Sequence, residues 1–79
     1  MTEQELPNFA AALRARGLDA ERDYQSDPTG LQAGLRVGKF FYPLWELNRR
    51  ENRFALESYD FDAIRSRRGP GWTIGGEST

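Results

Sequence analysis

The sequence predicts an α+β domain, in which an N-terminal helix packs on a three- or four-stranded antiparallel meander, with a short C-terminal helix as an option at its end. Three observations support this. Apolar residues recur at spacings of three and four as far as Leu13, the period drops to two from Leu18 onward, and turn chemistry interrupts the alternating runs. Consecutive strands joined by short turns pair antiparallel, and one helix covering one sheet face is the natural two-layer solution. A single domain over residues 1–74 is expected, followed by a flexible tail over 75–79.

Each element has a local cause. In "LPNFAAALRARG", Leu6, Phe9, Ala10 and Leu13 share one helical face. Gly17 stands where a left-handed C-terminal cap belongs, and Arg14 and Arg16 oppose the helix dipole in the last turn. Thr2 and Glu5 have capping-box spacing, yet a helix capped at Thr2 would put Pro7 beyond its first turn. The helix is therefore expected over residues 7–16, with a looser turn before it.

In "LDAERDYQ", Leu18, Ala20 and Tyr24 lie on one side, and Asp19, Glu21, Asp23 and Gln25 form an acidic outer side. Arg22 interrupts the inner row, as at a sheet edge. "SDPTG" over 26–30 is a strong turn, and "LQAGLRV" resumes the alternation with Leu31, Ala33, Leu35 and Val37 inward. Gly38-Lys39 allows either a two-residue hairpin or a bulge within one long strand. After 40–47 and the polar turn "NRREN", the run "RFALESYDF" reads as a last strand, with Phe54 and Leu56 facing opposite to Ala55, Glu57 and Tyr59. "DFDAIRSRRG" suits a short helix capped by Asp60 or Asp62, docked by Phe61 and Ile64, and closed by Arg65, Arg67 and Arg68. Trp72 and Ile74 are expected to fold back on the sheet.

Composition narrows the function. With 79 residues and no cysteine or histidine, the chain has no disulfide, no thiolate metal site and no imidazole base. No glycine-rich phosphate loop stands in a strand-to-helix context. Asp60 and Asp62, two apart, are a spacing that suits a hard cation, but they read better as a helix cap and its exposed neighbour. No enzyme activity, cofactor or metal is expected. No apolar run approaches the roughly 20 residues that cross a bilayer, and the acidic start "MTEQELPNF" lacks the regions of a signal peptide, so a cytoplasmic location is expected.

The order helix–strands–helix resembles the double-stranded RNA-binding domain in topology, and that resemblance implies nucleic-acid binding. The family's lysine-rich start to its second helix would fall on "DFDAIRSRR", which here opens with Asp60 and Asp62 and carries its bases at the end. The candidate nucleic-acid residues are Arg49, Arg50, Arg53, Arg65, Arg67 and Arg68. Interleaved acids weaken the positive field that such binding draws on.

Protein binding is the preferred expectation. In "KFFYPLWEL", Lys39 to Leu47, both faces turn apolar: Phe40, Tyr42 and Leu44 on one, Phe41 and Trp45 on the other. One helix covers one face, and aromatic surface beside arginine is how protein contact patches are built. Candidate contact residues are Phe40, Phe41, Tyr42, Trp45, Arg49 and Arg50, together with the acidic row Asp19, Glu21 and Asp23, which could mimic nucleic acid. Pro43 fits an edge strand, where a homodimer could form. Small cysteine-free chains of this kind include phage and mobile-element proteins that inhibit a host machine, anti-CRISPR proteins among them. An inhibitor or adaptor acting on a larger protein machine is the expectation that follows.

Overall fold

The computed structural model describes residues 1–69 and Trp72. Thr2 opens a 3-10 turn over Glu3–Glu5, in which its backbone N–H donates to Glu5 Oε1 (3.1 Å) and Glu5 N–H donates back to Thr2 O (3.0 Å). Helix α1 then runs Leu6–Ala15 with Pro7 in its first turn, where a missing N–H costs nothing. This resolves the conflict between the capping box and the proline, because the capped turn and the helix are separate elements. Gly17 takes φ +88°, and Leu18 N–H reaches back to Leu13 O (3.1 Å), completing the left-handed cap.

Strands β1 (Ala20–Asp27), β2 (Gly30–Val37) and β3 (Phe40–Pro43) form one antiparallel sheet in sequence order. The β1–β2 turn is held by Asp27, whose Oδ1 accepts from Thr29 N–H (2.8 Å) and from the Thr29 hydroxyl (2.6 Å). Gly38-Lys39 is a two-residue hairpin, with Gly38 at φ +61° and Val37 opposite Phe40. The bulge alternative falls, and the register follows: Leu35 and Tyr42 pair on the helix side, and both are fully buried. Burial along the inner row is graded, since Leu31 is 68% exposed while Leu35 is enclosed. A helix roughly 15 Å long cannot cover strands of roughly 26 Å, so the outer end of the β1–β2 hairpin projects beyond it.

Three short helices follow: α2 (Leu44–Leu47), α3 (Arg53–Glu57) and α4 (Phe61–Ser66), with a 3-10 turn over Arg50–Asn52. The expected strand over "RFALESYDF" is therefore a helix and a cap, and among the described residues the sheet has three strands. The reason is local. Arg, Ala, Leu and Glu are strong helix formers, and a five-residue run cannot separate period two from period 3.6. The buried and half-buried positions Ala55, Leu56 and Tyr59 make one helical stripe. Tyr59 ends α3 at φ +57°, in the place a glycine usually holds, and Asp60 N–H bonds to Ala55 O (2.7 Å). The ring of Tyr59 is held between Phe9 (5.9 Å) and the Arg16 guanidinium (4.5 Å), which offsets that strain. Helix α4 is capped as expected, with Ala63 N–H on Asp60 Oδ1 (3.1 Å).

One buried cluster joins Leu6, Ala10 and Leu13 of α1, Ala20, Leu35 and Tyr42 of the sheet, and Leu47, Ala55, Phe61 and Ile64 of the short helices. Helices α2 to α4 thus complete the layer that α1 begins. Phe41 is buried outside that cluster, with its ring over Gly34. The expected return of Ile74 and the tail over 75–79 lie outside the described residues.

A side chain at Gly34 has no room: a Cβ there would lie 2.2 Å from Tyr42 O and 2.7 Å from both Phe41 Cζ and Pro43 Cα. Two of these neighbours are backbone, so the strand pair would have to part. Gly34→Ala is expected to cost about 3 kcal/mol or to abolish folding. Gly17→Ala meets open space and only backbone strain, and is expected to cost about 1 kcal/mol. Urea unfolding of both variants checks the order; equal costs would contradict the β2–β3 packing.

Candidate functional site

The aromatic stretch divides at Pro43, which is extended (φ −65°, ψ 153°) and caps α2. Before it, Phe41 and Tyr42 are buried and Phe40 is half-buried under the Arg65 guanidinium (4.0 Å). After it, Trp45 is 42% exposed and its ring meets Trp72 at 5.5 Å. Of the expected aromatic contact residues, the structure leaves Trp45 on the surface and puts Phe41 and Tyr42 inside.

What organises this region is an ion pair that the local sequence pattern did not suggest. Glu46, 1% exposed, takes a two-pronged bond from Arg68, from Nε (2.8 Å) and from Nη2 (2.6 Å). The same Nη2 donates to Phe41 O (2.7 Å), and the guanidinium lies over the rings of Tyr42 (4.9 Å) and Trp72 (4.0 Å). One arginine therefore ties β3, α2 and the C-terminal segment together. Asn52, also buried, donates from Nδ2 to Glu46 O (2.9 Å) and accepts from Arg67 Nη1 (3.3 Å). Arg65 Nη1 donates to the Tyr42 hydroxyl (2.6 Å), and its Nη2 bonds Asp62. The three arginines near the end of the chain thus all bond to side chains of their own molecule.

Arg49, Arg50 and Arg53 behave differently. All three are exposed, around a cleft between α2 and α3. Arg49 pairs with Glu51 (3.3 Å) and Arg53 with Glu57 (3.7 Å), both at the surface. Near them Phe54, 79% exposed, is the most open large apolar side chain among the described residues. The strand pattern put Phe54 on one face with Leu56, whereas in α3 Leu56 is half-buried and Phe54 is exposed.

On the other sheet face, Arg36 bridges Asp19 (3.2 Å) and Glu21 (3.2 Å), so part of the acidic row is neutralised. Asp23 spends its Oδ1 on the N–H of Tyr24 (2.8 Å). This bears on the edges. A two-residue hairpin makes its flanking residues a bonded pair, so Ala20, Arg22, Tyr24 and Ser26 turn their backbone groups outward on β1, and Phe41 and Pro43 do so on β3. The outward carbonyls of Ala20 and Phe41 accept from Arg14 (2.7 Å) and Arg68 (2.7 Å). Pro43 has no N–H to offer. Three of these outward groups are thus engaged by the chain's own side chains.

Among the described residues no group of three or more acidic side chains is placed to hold a metal ion, and no helix is long and apolar enough to cross a membrane.

Two predictions follow from these bonds. Breaking one side of the buried pair leaves an uncompensated charge, so Arg68→Met or Glu46→Gln is expected to cost about 3–5 kcal/mol in urea unfolding, and the two combined less than the two singles together. Additive single effects would mean that the pair is not the organising contact. The hydrogen bond and charge of Arg36 hold the Asp19 carboxyl below its ordinary range. A depressed folded-state pKa gives stability that is present above the unfolded value near 4 and is lost as pH falls through the folded value. Asp19→Asn should flatten the acid limb of the stability curve in that window; an unchanged limb would remove Asp19 from the account.

Comparison with known proteins gives no relative: no family model, no curated protein and no solved structure matches the chain.

Proposed function

We propose that the chain is a non-catalytic protein-binding module, whose working surface is the aromatic and basic surface of α2 and α3, and that it acts as an inhibitor or adaptor of a larger protein assembly. The observation that supports this most is Trp45, left 42% exposed while packed at a tilt against Trp72, with Arg68 packed on the other ring and fixed by a buried carboxylate. An aromatic side chain held rigid in the free protein loses little freedom on binding, and tryptophan beside arginine is the composition of interface hot spots. Phe54 and the exposed Arg49 and Arg50 add further open side chains on and between these short helices. The acidic row of Asp19, Glu21 and Asp23 is the less suited candidate, because Arg36 and a backbone N–H already engage it. A surface contact also fits the partly engaged sheet edges better than strand addition does.

The test pairs fold with binding. Trp45→Ala and Phe54→Ala are expected to keep the circular dichroism spectrum of the parent and to weaken capture of the partner by a tagged chain at least about 30-fold, the loss of about 2 kcal/mol that marks a hot spot. Capture that survives both substitutions, or loss of fold in both, contradicts the reading. Light scattering across concentration is expected to show a monomer; a dimer would point to an edge that opens.

A further inference from the structure

We propose that the cleft between the end of α2 and α3 receives an acidic side chain of the partner, a carboxylate carried on an apolar stem. This inference rests on the protein-binding reading above. The cleft measures about 210 Å³, with Leu47 and Leu56 among its apolar walls and Asn48, Arg49, Arg50, Arg53 and one carboxylate, Glu57, at its polar ones. Sites for whole small molecules run roughly 300–1,000 Å³. This one has the size for a single side chain.

Its chemistry selects an oxyanion. Three arginines line it against one carboxylate, that of Glu57, and each guanidinium is able to hold a carboxylate through two parallel N–H bonds. Two of them rest on Glu51 and Glu57 in exposed pairs, which are weak and exchange partners readily. Arg50 has no ion-pair partner among the described residues. The backbone frame of the cleft, unlike its arginine side chains, is tied down before any ligand arrives. Asn48 donates from Nδ2 to Met1 O (2.7 Å) and accepts from Met1 N (2.8 Å), and Asn52 anchors the carbonyl of Glu46. A frame held this way does not have to be ordered by its ligand.

An acidic protein segment fits better than a nucleic acid. A nucleic-acid backbone presents phosphates in regular succession and needs a track of cations. Here the other arginine cluster, Arg65, Arg67 and Arg68, turns to Tyr42, Asn52 and Glu46, so no track continues from the cleft. The leucine walls give an aliphatic stem a place that a sugar–phosphate chain does not use.

The test uses the full chain, labelled with nitrogen-15 and titrated with acetyl-Leu-Glu-Leu amide, with its Gln counterpart, and with a short oligothymidylate. Saturable shifts at Asn48, Arg49, Arg50, Arg53 and Leu56 are expected with the Glu peptide, and binding about tenfold weaker with the Gln peptide. Arg50→Ala with Arg53→Ala, at unchanged circular dichroism, is expected to weaken the Glu peptide by a similar factor. Equal response to both peptides, no saturable response, or tighter binding of the oligonucleotide at the same residues overturns the proposal. The two readings fail separately. If Trp45→Ala abolishes partner capture while the double arginine variant leaves it intact, the cleft proposal falls and the binding module stands. If the arginine variant abolishes capture and Trp45→Ala and Phe54→Ala do not, the cleft stands and the aromatic reading falls.

Discussion

The bond between Arg68 and Glu46 is the constraint on which the second half of this small domain depends. Helices of four to six residues have almost no stability of their own, because each must offset the cost of nucleation with only one or two turns of bonds. They are ordered here by burial of Leu47, Ala55, Phe61 and Ile64 and by polar ties between distant positions. Arg68 supplies two of these ties. It reaches back across 22 residues to Glu46 and across 27 to the carbonyl of Phe41, and it lies over two aromatic rings. A buried pair of this kind adds little net stability compared with apolar packing, but it is directional. What it adds here is a defined arrangement of β3, α2 and the segment carrying Trp72.

The same economy of side chains engages part of the sheet's edges. Three strands leave two edges, and an exposed edge invites pairing with another chain. Arg14 and Arg68 cap outward carbonyls, Asp23 caps an outward N–H, and Pro43 has none. The arginine that organises the aromatic surface thus also blunts the edge beside it. Binding through side chains on α2 and α3 is then compatible with a chain that does not pair with itself.

How much of this was legible in the sequence follows from the range of each interaction. Helix α1, its glycine cap and its arginines were readable because their causes lie within four residues of one another. So were the β1–β2 turn and the Asp60 cap of α4. The choice at Gly38 stayed open because a hairpin and a bulge use the same glycine; pairing between strands decides it. Residues 53–59 misled because five positions carry both periods, and the error put Phe54 on one face with Leu56. Glu46 and Arg68 gave no signal, since neither period nor spacing links residues so far apart. Two of the named contact residues, Phe41 and Tyr42, are enclosed: Tyr42 pairs with Leu35 against the helix layer, and Phe41 lies over the space that Gly34 leaves.

The central claim is that Arg68 sets the exposed aromatic surface without being the source of the core. Nuclear Overhauser contacts between rings read this directly. The account predicts contacts between Trp45 and Trp72 in the parent chain that vanish in Arg68→Met, while those between Tyr42 and Phe61, whose centroids lie 5.0 Å apart, persist. Contacts between the two tryptophans that survive unchanged in Arg68→Met would contradict it.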